Sequence, residues 1–398
     1  MKNFLNLLKR EFVRFFQNKV LVMLFIGAPI LYGVLVGSVY KKGKVTHLPI
    51  IVVDEDRSPL SNQLIDMFNE GESIYVASLL YDPFNAQEVA RKHEATVIVQ
   101  IPKDFSSNIQ YNNPTEVTMF VNAANTLTSN TAMMAVNVAT STLKAGIEIK
   151  ALQKKGVPQY LASQQYEPFK TNIIKQHIKS GNYLYFMLPG VLLTVLQQVI
   201  MLGLALSFAS EFEQGTFKEL AQKTNNVFLL ILVKILPFFI LSIGIFGLYY
   251  GFSIYYRMPL YTSMLPFLGT SVLFLLAVSF IGILISILIP NQLKATEILM
   301  VIATPSFILS GFTWPLSQMP NWVVAIADVI PLTHYLKIFR TLFIEHGNLD
   351  YLKDSIWGLA FIAIVCFIAS VVFLEIKIRK VKKEVRKTKP VDVSIYEH

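Results

Sequence analysis

Six long apolar stretches dominate the pattern of hydrophobic and polar positions along this chain. A helix needs about 20 apolar residues to cross the ~30 Å hydrocarbon core of a bilayer, and each stretch is close to that length or longer. The pattern therefore predicts a polytopic α-helical membrane protein with about six transmembrane helices. The predicted spans are residues 20–40, 184–209, 227–250, 265–289, 293–312 and 356–374. The fifth is the weakest, because Pro305 and the Ser310-Gly311 pair interrupt it.

Residues 41–183 have a different pattern, in which short β-branched runs alternate with helical periodicity. Alternation of this kind predicts an α/β domain with a mixed sheet and helices packed on it, inserted between the first and second spans. The predicted strands are 49–53, 74–79, 96–101 and 116–121, and the predicted helices are 58–68, 85–91, 103–110 and 128–153.

Three carboxylates, Asp54-Glu55-Asp56, follow the first predicted strand. No histidine is nearby and the spacing is not that of an EF-hand, so a metal site is disfavoured. We expect the carboxylates to cap the next helix, which Ser58 and Pro59 open.

The residues ahead of the first span predict a helix lying on the membrane surface. Apolar side chains recur at helical spacing with basic residues between them, which is typical of an interfacial helix over residues 1–19. The apolar positions are Phe4, Leu5, Leu8, Phe12 and Phe15. The following span is too long for the apolar core of a cleaved signal peptide and is interpreted as a retained anchor.

Composition and charge support this membrane interpretation. Hydrophobic residues make up 53% and charged residues only 15% of the chain, against about 25% charged in soluble proteins. The net charge of +9 does not indicate nucleic-acid binding, because basic residues cluster beside the first and last spans. The positive-inside rule then places both termini in the cytoplasm, with residues 376–398 as a basic tail. Lys41, Lys42 and Lys44 oppose this orientation, but long loops translocate largely regardless of charge.

The sequence contains no phosphate-binding loop. Its nearest approach, Gly43-Lys44-Val45, has the wrong spacing and lacks the hydroxyl that ligates magnesium. We therefore predict that this chain is not an enzyme, has no catalytic residues and binds no cofactor or metal itself. Lys234 is the clear charged residue within a span, and we expect it to snorkel to the cytoplasmic interface. So few intramembrane charges disfavour an ion-coupled carrier.

A polar loop over residues 210–226 is the first candidate site. Glu211, Gly215 and Glu219 recur every four residues, which predicts that they share one helical face suited to docking on a soluble partner. The alternative is that these carboxylates only end the span and remain solvated.

The segment after the fifth span, residues 313–345, is the second candidate site. Prolines and tryptophans break it into short apolar pieces, which predicts re-entrant helices near the outer mouth of a transport path. An aromatic belt at the membrane interface is the alternative, and the two are compatible. The candidate residues are Ser310, Gly311, Trp314, Pro315, Met319, Pro320, Trp322, Pro331 and Arg340.

At these motifs the chain resembles the permease subunits of ABC-2 type transporters. Residues 213–220 resemble the loop that includes their coupling helix, and residues 310–340 resemble their outer re-entrant region. Lys9-Arg10-Glu11-Phe12 is similar to their elbow helix, and Val52-Val53-Asp54 to part of their large outer domain. The chain departs from the family at Thr224-Asn225, where Ser-Pro is common.

The resemblance implies an exporter of amphiphilic or hydrophobic cargo in the cell membrane, of the group that includes multidrug efflux permeases. It implies a cytoplasmic ATPase partner that binds ATP and magnesium, a homodimer or a heterodimer with a sibling permease, and a possible periplasmic adaptor. Spans one, two and five would line the path, and residues 310–340 would gate its outer end. Coupling to the ATPase would fall to Glu211, Glu213, Gly215, Thr216 and Glu219. A membrane-anchored receptor or scaffold, whose outer domain binds a partner without transport, remains the alternative.

Overall fold

The structure is a computed structural model that describes residues 2–167, 169, 171–178, 180–224, 226–259 and 264–388. Asn225 and positions 389–398 of the basic tail therefore lie outside the described residues. The chain forms two compact units. The first comprises Met1–Gly43 with Lys175–His398, and the second comprises Lys44–Ile174.

The described elements are mostly helical, with one small sheet. The helices are α1 (Lys2–Gln17), α2 (Lys19–Val39), α3 (Pro59–Glu70), α4 (Ala86–Lys92), α5 (Phe105–Gln110), α6 (Thr126–Lys154), α7 (Gln159–Gln165), α8 (Tyr183–Glu213), α9 (Phe217–Lys223), α10 (Val227–Tyr255), α11 (Met264–Leu288), α12 (Gln292–Leu309), α13 (Asn321–Ala327), α14 (Pro331–Ile344) and α15 (Lys353–Thr388). The strands are β1 (Leu48–Asp54), β2 (Ile74–Leu80), β3 (Val97–Ile101) and β4 (Thr118–Val121).

The prediction of about six membrane helices is confirmed. Within the described residues, six helices are long and apolar enough to cross a bilayer, and they are α2, α8, α10, α11, α12 and the apolar part of α15. A seventh crossing arises only if α13 and α14 count as one span, but these two helices meet at an angle of 85°.

Four of the membrane helices begin at an asparagine. The side chain of each accepts a hydrogen bond from a backbone N–H two or three residues into the helix, which satisfies a donor that the helix itself leaves free. These caps are Asn18, Asn182, Asn226 and Asn291. These asparagine caps explain where the four capped helices begin.

Helix α8 is the centre of the first unit. It is the most buried of the six membrane helices, and it packs against α2, α10, α11 and α12. Gly282 of α11 allows one of these approaches, because a Cβ there would lie only 2.8 Å from the Cβ of Leu204. A large apolar cluster built on α8 extends through these helices to α14 and α15.

The second unit is an α/β structure around a four-stranded mixed sheet. The strand order is β2-β1-β3-β4, with β1 parallel to β2 and β3, and with β4 antiparallel to β3. The central strand β1 is buried along almost its whole length, as expected for a strand covered on both faces. Apolar side chains of α3 and α6 pack on the sheet. The four predicted strands and the mixed sheet are confirmed.

Asp54, the last residue of β1, organises the loop that follows the strand. Asp54 accepts hydrogen bonds from two backbone N–H groups of its own loop and from the hydroxyl of Ser61 in α3. Ser58 caps α3 in a reciprocal capping box with Ser61, and Pro59 is the first residue of the helix. Ser58 and Pro59 thus open α3 as predicted. The prediction that the carboxylates cap this helix is wrong, because Ser58 is the cap and Asp54 binds its own loop and the Ser61 hydroxyl.

Candidate functional site

Five charged side chains meet where α1, the end of α8 and the start of α10 come together. We call this group the buried ion cluster, and its members are Arg10, Glu11, Arg14, Glu211 and Lys234. It holds three cations and two carboxylates, so most of its charge is balanced internally. Buried charges persist in proteins when they are paired and hydrogen-bonded in this way.

Lys234 lies at the centre of the cluster and is only 2% exposed. Its Nζ lies 2.9 Å from Glu11 Oε2, 2.9 Å from Glu211 Oε1 and 3.2 Å from the carbonyl oxygen of Ser207. These three acceptors match the three donors of an ammonium group. The prediction that Lys234 snorkels to the interface is wrong. Its ammonium group instead pairs with the carboxylates of Glu11 and Glu211 inside the helix bundle.

Glu211 is completely buried and accepts from four side chains. Arg10 Nη2 donates to it at 3.0 Å, and Arg14, Lys234 and the hydroxyl of Thr216 also donate. For Glu211, the interpretation as a solvated carboxylate that merely ends the span is therefore wrong. The negative charge is retained in the interior because cations from two other helices neutralise it.

Helix α1 contributes to the cluster through a face that the predicted apolar positions include only at Phe15. Leu7, Glu11 and Phe15, four residues apart, are its most buried positions, whereas Leu5 is exposed. The signal available in the sequence was that Glu11 shares one helical face with the apolar residues Leu7 and Phe15. Phe15 also packs edge-to-face on Phe25 and Phe238, which holds α1 against α2 and α10.

The loop after α8 does not form one continuous helical face, so that prediction is wrong. Helix α8 runs on to Glu213, and Gly215 then adopts a φ of +74°, which turns the chain out of the helix. Thr216 precedes the short helix α9, and its hydroxyl is held by Glu211. Glycine takes this left-handed conformation at no steric cost, which is why the helix breaks here.

Helix α9 has one buried side and one exposed side. Phe217, Leu220 and Ala221 are buried, and the Phe217 ring packs 4.5 Å from that of Phe212. The exposed side carries Lys218, Glu219, Gln222 and Lys223. We call these four residues the α9 face.

The two remaining carboxylates of this loop have separate surroundings. Glu213 is exposed and accepts from both the backbone and the side-chain nitrogens of Gln292, which lie 3.0 and 3.1 Å away at the start of α12. A carboxylate in this position also favours the N-terminus of that helix. Glu219 has no hydrogen-bond or ion-pair partner within the described residues. The loop thus brings Glu211 and Thr216 inward and leaves Glu213, Gly215 and Glu219 outside.

The second candidate region is organised around Arg340 at the end of α14. Its guanidinium donates to the carbonyl oxygen of Phe312 at 2.8 Å and lies 4.8 Å from the centre of the Phe312 ring. That ring stacks on Phe186 of α8 at 4.7 Å. Ser310 holds the turn before it by accepting from the Phe312 N–H, and Gly311 allows the turn with a φ of +73°.

The prolines of this region begin its short helices. Pro315 precedes a 3₁₀ turn, Pro320 caps α13 and Pro331 is the first residue of α14, while Met319 ends the 3₁₀ turn. The predicted break into short helices is confirmed. Gln197 of α8 accepts from the N–H of Leu332 at 3.0 Å and so caps α14 from inside the bundle.

The two tryptophans of this region do not join the Arg340 arrangement. Trp314 and Trp322 are both more than half exposed. Their exposure agrees with the aromatic-belt interpretation. Ser310, Gly311 and Arg340 are therefore the candidate gate residues that the structure brings together.

Comparison with known proteins gives a family match over most of the chain. The model of the family described as ABC-2 family transporter protein matches residues 19–374. The probable multidrug ABC transporter permease YbhR of Escherichia coli (strain K12) is 24% identical over 342 residues, which cover 83% of this chain and 87% of that protein. The corresponding permease YbhS is 29% identical over 167 residues, or 42% of this chain and 44% of its own length. ABC transporter G family member 20 of Dictyostelium discoideum is 21% identical across 92% of this chain and 49% of its own length.

Proposed function

This chain belongs to the ABC-2 family of transporter proteins, and we propose that it is the permease subunit of an exporter driven by a separate cytoplasmic ATPase. The family match across residues 19–374 and the similarity to permeases described as probable multidrug transporters support this proposal. The ATPase would bind ATP and magnesium, since this chain has no phosphate-binding loop of its own.

The observation that favours an ATPase contact at the α9 face is the way in which α9 is attached to the rest of the first unit. The face is polar and exposed, while the helix behind it is packed on aromatic rings and anchored through Thr216 to the buried ion cluster. A force applied to α9 would therefore reach α8 through Glu211, and α1 and α10 through Arg14 and Lys234. Packed side chains and hydrogen-bond networks of this kind carry energetic coupling between sites.

We propose a membrane orientation with both termini and α9 in the cytoplasm. Basic residues flank the first and last spans, as the positive-inside rule requires. The second unit, residues 44–174, would then be an extracytoplasmic domain inserted between α2 and α8, and the protein would lie in the cell membrane. An adaptor on that side would bind this domain.

Cargo in this proposal is amphiphilic or hydrophobic. Lys234 is neutralised by its carboxylate partners, so it offers no free charge for an ion-coupled or strongly charged cargo. Two copies, or this chain with a sibling permease, would enclose the path between α2, α8 and α12. The arrangement of Ser310, Gly311, Phe312 and Arg340 would close its outer end.

Reversing one charge on the α9 face tests the ATPase contact. We expect Glu219→Arg to reduce co-purification of an ATP-hydrolysing subunit from native membranes about tenfold, because a lost charge contact of about 1.4 kcal/mol has that effect. Transport-coupled ATP hydrolysis is measured on the same preparations. Asp66→Arg is the matched control, since Asp66 is an exposed carboxylate in the middle of α3 in the other unit.

Equal recovery of the ATPase with the parent chain and with Glu219→Arg would contradict the proposed docking role of α9. Failure of any ATPase to co-purify with the parent chain would favour the receptor or scaffold alternative.

A further inference from the structure

A cavity of about 970 Å³ lies in the first unit, between α14, the turn at residues 310–316 and the first four turns of α15. Its volume is in the range of binding sites for small ligands. The cavity is lined in part by the outer gate arrangement of Ser310, Gly311, Phe312 and Arg340, but by no residue of α2, α8 or α12 in the described part of the chain.

Helix α15 forms one edge of the cavity, and this edge is apolar and exposed. Trp357, Phe361 and Val365, four residues apart on one helical face, line the cavity while remaining 72%, 69% and 47% exposed. Because α15 contains a candidate membrane span, these side chains would contact lipid. The cavity therefore opens towards the hydrocarbon region on this side, which favours a ligand that enters from the membrane.

The residues of α15 that line the cavity run from Asp354 to Cys366. The two end residues are twelve positions apart, or about 18 Å along a helix. One leaflet contributes roughly 15 Å of hydrocarbon to a bilayer whose core is about 30 Å thick. A lipid with its head group at the Asp354 end would thus reach Cys366 with its chains.

Charged residues of both signs line the cavity. The cations are Lys337 and Arg340, and the carboxylates are Asp328, Glu345 and Asp354. Within the described residues, the side chains of Lys337 and Asp354 have no hydrogen-bond or ion-pair partner. The buried hydroxyl of Thr333, a further lining residue, also has none in the described part of the chain.

This charge composition selects among amphiphiles. Arg340 is already bonded to the Phe312 carbonyl, and Glu345 accepts from Thr341. Lys337 and Asp354 therefore decide the selection: an anionic head group would leave Asp354 without a cation, and a purely cationic one would leave Lys337 without an anion. A head group with a phosphate and an ammonium complements both residues through charge-assisted hydrogen bonds.

We propose that this cavity binds a zwitterionic phospholipid of the outer leaflet, with its head group beside Lys337 and Asp354 and its chains along Phe361 and Cys366. The assignment to the outer leaflet rests on the orientation given under Proposed function, but binding itself does not require an ATPase. A defect in ATPase coupling and a defect in lipid binding are therefore separable.

Cys366 is the only cysteine of the chain and lines the cavity, so it reports occupancy directly. The purified full-length chain in detergent is treated with N-ethylmaleimide at increasing amounts of phosphatidylcholine or phosphatidylglycerol. We expect phosphatidylcholine to slow alkylation of Cys366 at a lower mole fraction than phosphatidylglycerol. Asp354→Asn should raise the phosphatidylcholine needed for half-protection about tenfold, equivalent to about 1.4 kcal/mol.

Two matched controls test whether the effect is local to the cavity. Asp350→Asn removes a nearby exposed carboxylate that pairs with Lys353 and does not line the cavity, and we expect unchanged protection. A chain with Cys366→Ser and Ile368→Cys places the thiol on an exposed position of the same helix outside the cavity. Its alkylation should respond equally to both lipids.

A second measurement covers the case in which Cys366 reacts too slowly to follow. In a chain with Trp314→Phe and Trp322→Phe, Trp357 is the remaining tryptophan, and brominated phosphatidylcholine should quench its fluorescence more than brominated phosphatidylglycerol. Equal or stronger effects of phosphatidylglycerol in both measurements would overturn the proposal. Protection that rises with protein concentration in the absence of lipid would also overturn it, by assigning the cavity to a second copy of the chain.

Discussion

At the scale of single residues, Lys234 and the three groups that accept its hydrogen bonds form the centre of the buried ion cluster. A lysine in an apolar helix is costly unless its charge is paired and all three of its N–H groups are bonded. Glu11, Glu211 and the Ser207 carbonyl supply those acceptors. Glu211 in turn is neutralised by Lys234 together with Arg10 and Arg14, because a buried carboxylate without a cation is equally costly. Each of these residues is tolerated only in the presence of the others.

Removing the lysine should therefore be strongly destabilising. Lys234→Met keeps the length of the side chain but removes the cation between Glu11 and Glu211. Only Arg10 and Arg14 then remain beside these carboxylates. Breaking a buried ion pair costs about 3–5 kcal/mol. We expect a clear decrease in the thermal unfolding midpoint of the purified protein in detergent. Adding Glu11→Gln to Lys234→Met should restore part of the loss, because Glu11 would otherwise keep only Arg10, at 3.5 Å, as a cation partner.

The matched control for this prediction is Lys218→Met, at an exposed lysine of the α9 face, which should change the midpoint little. If Lys234→Met and Lys218→Met unfold at the same temperature, the cluster does not hold α1, α8 and α10 together.

At the scale of elements, a single glycine separates a long membrane helix from a short surface helix. The positive φ of Gly215 ends α8 and sets the direction of α9. No other atom lies within 4 Å of the position that a Cβ would occupy. Glycine is therefore favoured at position 215 because of its left-handed backbone conformation, and not because a side chain would clash there.

Substitutions at Gly215 should consequently follow backbone preference. We expect Gly215→Ala to cost roughly 1–2 kcal/mol and to reduce co-purification of the ATPase, because the left-handed turn becomes strained. Gly215→Asn should retain more of the complex, since asparagine tolerates this conformation better. The yield of complex and the thermal unfolding midpoint are measured for each variant.

Gly146→Ala is the comparison for this series, because Gly146 lies inside α6 with open space around its Cβ position. Alanine is favoured over glycine in a helix interior by roughly 0.5–1 kcal/mol, so this variant should be neutral or stabilising. If Gly215→Ala were as stable and as active in binding as Gly146→Ala, the turn would not determine the position of α9.

At the scale of the whole molecule, the two compact units differ in the solvent that they require. The first unit exposes large apolar side chains along α2, α10 and α15, as a protein surrounded by lipid does. The second has its own sheet and its own apolar core, and it needs no disulfide, since the chain has one cysteine. The proposed orientation puts this second unit outside the cell membrane and both chain ends inside.

Labelling of introduced cysteines on intact cells tests that orientation. In a Cys366→Ser background, we expect a membrane-impermeant maleimide to modify Asp66→Cys in the second unit. Gln222→Cys on the α9 face and Lys380→Cys on α15 should react only after permeabilisation, because the bilayer blocks the reagent. Each position is exposed within the described structure, so accessibility depends on the side of the membrane. Modification of Gln222→Cys or Lys380→Cys on intact cells would refute the proposed topology.

Local patterns in the sequence determined the membrane-length helices, the strands and the start of α3 at Ser58 and Pro59. Apolar runs of sufficient length must cross the bilayer as helices, and the pattern of Pro49–Val53 predicts a strand wherever that strand packs. Tertiary structure alone decided the buried ion cluster, because Glu11 and Lys234 are 223 residues apart and pair only through space. It also decided that Glu211 is buried while Glu219 is exposed, and that Arg340 is held by the Phe312 carbonyl. The physical reason is that periodicity reports the conformation of one segment, whereas the pairing of charges depends on which segments pack together.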